Sequence, residues 1–176
     1  MATDPKDIVQ HDAAKGVQSD RPGASTSRRG VIKAGLLAAI AAPGAAKAAV
    51  DDAAADRPFV EHRMVLQLSD RDPGKQALIL SVANNVLKEI GPDQVALEVV
   101  TFGPGIDLLR EDSSERARVD SLIAQGVRFD ICMNTVESVE RETGMKFPIN
   151  PRAHPVPAGV VQILMLVEHG YTLVRP

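Results

Sequence analysis

The chain has 176 residues, 3% of them aromatic, and a net charge of −3 from 20 Lys/Arg and 23 Asp/Glu. That length suits one folded domain once any targeting segment is set aside. Residues 1–48 hold seven Lys/Arg against four Asp/Glu and residues 49–176 thirteen against nineteen, so the larger part is acidic, repels phosphate backbones, and argues against a nucleic-acid partner.

Residues 1–48 are unlike the rest. A polar stretch ends in Ser27-Arg28-Arg29-Gly30-Val31-Ile32-Lys33, and an Ala/Leu-rich run follows over 34–42, which is the layout of a secretion signal. The serine, the paired arginines Arg28 and Arg29, the apolar pair and the lysine resemble a twin-arginine signal, whose translocase reads the arginines as an address. The apolar run is about nine residues long, against the roughly 20 that a membrane span needs. Pro43-Gly44 ends it, and no permanent anchor is expected. Ala46-Lys47-Ala48 supplies an A-x-A cleavage site, placing the mature start near Ala49 with the exact bond open between 45 and 49. The expected location is the periplasm, with a signal peptide over 1–48, a flexible lead-in over 49–59 and a folded domain over 60–176.

The short apolar run over 62–68, closed by Ser69-Asp70-Arg71-Asp72-Pro73-Gly74, predicts a buried strand. Apolar residues recur at helical spacing over 75–90, and Gly91-Pro92 stops them, giving a first helix. A β-branched and apolar stretch over 95–102 predicts a second strand; Gly103-Pro104-Gly105 then forces a tight exit, with a short helical turn over 106–110. Ser113-Ser114-Glu115 opens a second helix that Gly126 ends, and a third strand follows over 127–132. A short polar helix is expected over 135–143, capped by Asn134 or Thr135, and four prolines predict a mostly irregular stretch over 144–157. A helix over 160–168 and a last strand over 171–174 complete the series. Strands alternating with helices predict a single α/β domain, a mostly parallel sheet with helices on both faces. The last helix is apolar around most of its circumference, at Val160, Val161, Ile163, Leu164, Met165, Leu166 and Val167. That is wider than one sheet face needs, and it points to burial against another subunit.

Cys132 is the only cysteine, so no disulfide forms within the chain. It falls at the carboxyl end of the third strand, the edge of an α/β sheet where ligand crevices form, just before a helix whose N–H groups stabilise a thiolate. The opposing reading is a packed, inert side chain, because free cysteine is among the most buried residue types. His62, His154 and His169 are scattered without metal-ligand spacing, and neither a metal nor a cofactor is expected. Gly103 and Gly105 lie where phosphates bind in doubly wound sheets, without a phosphate-loop signature; they are the candidate ligand-binding positions, with a tight turn as the plain alternative. Glu137, Glu140, Arg141 and Glu142 form a charged run that reads as a solvated face. No Ser/His/Asp order points to hydrolysis.

The segment Phe129-Asp130-Ile131-Cys132-Met133-Asn134-Thr135-Val136 resembles the Cys-x-Asn-Thr segment of the DsrE/DsrF-like family. Gly103-Pro104-Gly105-Ile106, Gly126-Val127-Arg128-Phe129, Val156-Pro157-Ala158-Gly159-Val160 and the ending Gly170-Tyr171-Thr172-Leu173-Val174-Arg175-Pro176 are similar to that family as well, so the resemblance spans residues 63–176. It implies a flavodoxin-like parallel sheet, a homo-oligomer (trimer or hexamer) and, as in some relatives, sulfur carried as a cysteine persulfide in sulfur-relay pathways. On the matching positions it makes Cys132 the candidate sulfur acceptor, with Asn134 and Thr135 holding its loop, and it implies a sulfur donor or acceptor protein as partner. Met133 stands where relatives commonly have glycine, and the export signal departs from the cytoplasmic relay proteins. Two functions follow: an exported sulfur carrier rather than a turnover enzyme, or an oligomeric small-ligand-binding or accessory domain with a structural cysteine.

Overall fold

Five strands form one sheet in a computed structural model that describes residues 52–54 and 57–176. Arg28, Arg29 and the signal-peptide reading lie outside those residues. The strands are His62–Leu68 (β1), Val95–Thr101 (β2), Arg128–Cys132 (β3), His154–Val156 (β4) and Thr172–Val174 (β5), in the spatial order β4-β3-β2-β1-β5. Every pairing is parallel, so the sheet is the parallel α/β type that the alternation of elements predicts and the fold is flavodoxin-like, as the family resemblance implies.

The helices are Pro73–Ile90 (α1), Arg116–Ala124 (α2), Met133–Thr143 (α3) and Gly159–Glu168 (α4), with a 3₁₀ segment over Gly103–Leu109 after β2. Asp72 caps α1 through Oδ1, which accepts from the Lys75 N–H at 3.0 Å. Pro73 takes a first-turn position where its missing N–H costs nothing, so the helix starts earlier than its apolar spacing indicates.

Successive strands from β1 to β4 step in one direction across the sheet, and right-handed crossovers then place α1, α2 and α3 on one face. The connection from β4 to β5 runs back to the far side of β1, which sends α4 to the opposite face. The core divides accordingly. Leu66, Leu97, Val99, Phe129 and Ile131 meet Ile79 and Leu80 of α1, Val119 and Leu122 of α2 and Val136 of α3, whereas Val65, Ala96 and Val100 meet Ile163 and Leu166 of α4. β2 lies at the centre and is buried at all seven positions, as a parallel strand covered on both faces requires.

The stretch 144–157 is mostly irregular, with one short strand, β4, that pairs with β3 from Asp130↔His154 to Cys132↔Val156. Pro155 has no N–H to donate, which hides this strand from pattern reading and keeps it at the sheet edge. Within the lead-in over 49–59, Ala53 and Ala54 pack against the cluster under α4, as does Val60 just after it. Among the described residues no helix is long and apolar enough to cross a membrane.

Candidate thiol site at the sheet's switch point

The topology explains where the site forms. β3 and β4 are neighbours, yet the chain leaves β3 into α3 on one face and leaves β4 into α4 on the other. The two adjacent strand ends therefore send the chain to opposite faces, the position at which open α/β sheets hold ligands. Cys132 ends β3 there and serves as the N-cap residue of α3, with extended backbone at φ −72° and ψ 110°. The cap is thus Cys132 itself, not Asn134 or Thr135, because the helix begins directly at Met133 with no intervening loop.

The N-termini of α3 and α4 both face the sulfur. Burial alone pushes the Cys132 thiol up, but hydrogen bonding from the Thr135 hydroxyl and from the N–H groups of Gly159, Thr135 and Asn134 outweighs it and holds the thiol below its ordinary value. The thiol makes no side-chain cap hydrogen bond at the start of α3. The Asn134 N–H has its main acceptor in Pro157 O at 3.1 Å, which ties the start of α3 to the loop before α4.

Thr135 links two parts of the site. Its Oγ1 accepts from the Gly103 N–H at 3.1 Å, and the same hydroxyl helps hold the Cys132 thiol below its ordinary value. Gly103 and Gly105 therefore lie at the same end of the sheet as Cys132, and the Gly103 N–H is engaged within the protein. Gly105 answers a packing demand: a Cβ there would sit 2.3 Å from Leu68 O. Asn134 acts through its backbone, and its side chain is exposed.

Sequence reasoning missed Gly159 and Phe102. A Cβ on Gly159 would lie 3.1 Å from Phe102 Cβ and 3.3 Å from Cys132 Cβ, so glycine lets the first turn of α4 approach the thiol. The signal was the Pro157-Ala158-Gly159 run, which nothing in the sequence connects to Cys132 until β4 is placed beside β3. The site is tight: Cys132 is 5% exposed. Among the described residues no group of three or more His, Cys, Asp or Glu side chains is placed to hold a metal. Of the charged run after the thiol, Glu140 pairs with Lys146 at 2.8 Å, whereas Glu137 and Glu142 face solvent.

Fold and site together define a flavodoxin-like domain with a single cysteine between two helix N-termini. No protein-family model matches the chain, and no curated protein matches it significantly. It is similar to a solved structure, the protein of unknown function MTH1491 from Methanobacterium thermoautotrophicum, at 30% identity over 66% of this chain and 100% of that one, with a TM-score of 0.59. The chain belongs to the same family as MTH1491.

Proposed function

We propose that this protein is an exported, DsrE-like sulfur carrier in which Cys132 holds sulfane sulfur as a persulfide. The observation that carries the reading is the set of donors around the sulfur: two helix N-termini and the Thr135 hydroxyl favour the thiolate, which is the nucleophilic form. The thiolate attacks the outer sulfur of a donor R–S–SH; the donor S–S bond breaks, R–S⁻ leaves and takes up the proton, and Cys132 retains Cys–S–S⁻. An acceptor thiolate reverses the step by attacking the same outer sulfur, so no net oxidant is consumed. Asn134 and Thr135 lie in the first turn of α3 and tie it to Pro157 O and to the Gly103 N–H. The Cys-x-Asn-Thr segment and its resemblance to persulfide-carrying relatives support the same chemistry, and Arg28-Arg29 with Ala46-Lys47-Ala48 supports delivery to the periplasm by the twin-arginine translocase.

One experiment tests both parts. Protein produced in a host with a twin-arginine translocase and recovered from its periplasm is treated with a sulfane-sulfur donor and analysed by mass spectrometry. The expected result is a processed chain starting near Ala49 with added sulfur on Cys132, no adduct in Cys132→Ser, and retained precursor when Arg28 and Arg29 are both replaced by lysine. Absence of an adduct on processed wild-type protein defeats the carrier. It leaves the second reading, an oligomeric small-ligand-binding or accessory domain with an inert cysteine, which the 5% exposure of Cys132 favours.

A further inference from the structure

The sheet face under α4 holds a second group of polar side chains that the thiol chemistry does not use. Glu98 on β2 and Asp130 on β3 are fully buried, diagonal neighbours on one face. Asp130 Oδ1 accepts from Arg128 Nε at 3.0 Å and lies 3.0 Å from His154 Nδ1. Glu98 Oε1 accepts from the Ala53 N–H, in the 52–54 segment that packs on this face. Glu98 Oε2 and Asp130 Oδ2 are both buried without a hydrogen-bond partner. Two carboxyl groups buried on neighbouring strands do not both ionise readily, so the pair retains a proton.

We infer that this recess is a proton-operated clasp: one proton shared by Glu98 and Asp130 holds segment 52–54 on the sheet, and its loss to solvent base frees the segment while the rest of the domain stays folded. Two effects oppose each other at the segment: the Ala53 N–H favours a charged Glu98, whereas burial, the largest effect, favours the proton, and the charges around the pair add to the balance. Arg128 offers one guanidinium against two carboxylates, His154 is half-exposed at the sheet edge, and Asp52 of the segment adds a negative charge. Arg63 from β1 and the buried Tyr171 complete the surroundings. The side chains of α4 that pack on this face, Ile163 and Leu166, carry no charge, and His169 beyond the helix bonds to Met165 O. With β1 and β3 flanking Glu98, the cover that yields to a second charge is the segment held by few bonds. Burial and Asp130 push the Glu98 carboxyl up to about 9, which puts release on the alkaline side.

Amide hydrogen exchange of the full chain, read by mass spectrometry and corrected for the base-catalysed intrinsic rate, tests the clasp. Protection of amides 52–54 and of those in 57–60 is expected to hold between about pH 6 and about pH 8 and to fall about tenfold or more by about pH 10, with α1 still protected. Glu98→Gln, whose amide donates to Asp130 and still accepts from Ala53, keeps the segment closed throughout. Tyr171 is the only tyrosine in a chain without tryptophan, and burial keeps its hydroxyl protonated across this range. Its fluorescence should show a step at the same midpoint in the wild type and none in Glu98→Gln. Unchanged protection in the wild type, loss in step with α1, or equal loss in Glu98→Gln overturns the inference.

Discussion

A carboxyl group in the middle of an apolar strand is the feature of the sequence that most needs a structure to interpret. Glu98 sits in Val95–Thr101 and Asp130 in Arg128–Cys132, both where alternation demands an inward side chain. Each is legible as an anomaly, but only the strand pairing reveals that the two meet. The thermodynamic consequence has a definite sign. Burial, then Asp130, raise Glu98 from an ordinary 4.5 to about 9, so between those values the folded chain binds a proton that the unfolded chain has lost. Stability is then fully present below about 4.5 and declines as pH rises toward about 9. Urea unfolding of wild type and Glu98→Gln across this window should show the wild type losing stability relative to the variant, on the order of 1 kcal/mol per pH unit. Parallel curves would contradict the shared proton.

At the scale of elements, the close approach of the 3₁₀ segment to the end of β1 supplies a further prediction. A Cβ on Gly105 would meet Leu68 O at 2.3 Å and Leu68 C at 2.7 Å, and both partners are backbone atoms that cannot swing aside. Gly105→Ala should therefore lower unfolding stability by about 2 kcal/mol or more, measured by denaturant midpoint; stability within about 0.5 kcal/mol of wild type would mean the loop relaxes freely. Most elements were readable because their apolar spacing and stop signals agree: β1 falls where the run 62–68 predicts it, and α4 where the run 160–168 does. β4 was not, since Pro155 and a length of three residues erase alternation. That gap also hid half of the candidate site. Cys132, Thr135 and Gly103 were visible as residues, whereas the contribution of Gly159 arises only once β4 lies beside β3 and α4 turns to the other face.

Among the described residues the two sheet faces are covered unequally, three helices on one and α4 with the 52–54 segment on the other. The outer side of α4 leaves Val160, Val161, Leu164 and Val167 exposed, and Leu173 of β5 is exposed on the same side. An apolar set of this kind is the type of surface that association buries, and it fits the homo-oligomer that the family resemblance implies. Sedimentation velocity should find wild type as a trimer or hexamer and Leu164→Lys as a smaller species; a monomeric wild type would refute that assembly. The same one-sided placement of α4 brings its N-terminus to Cys132 opposite that of α3, and the account of function depends on it. Alkylation of Cys132 followed against pH tests it most directly, because the midpoint reports thiolate formation whatever the absolute rate. The midpoint is expected below that of an ordinary thiol, about 8.5, and it should move upward in Thr135→Val. A midpoint at or above the ordinary value, unmoved by Thr135→Val, would contradict a thiolate held between two helix ends.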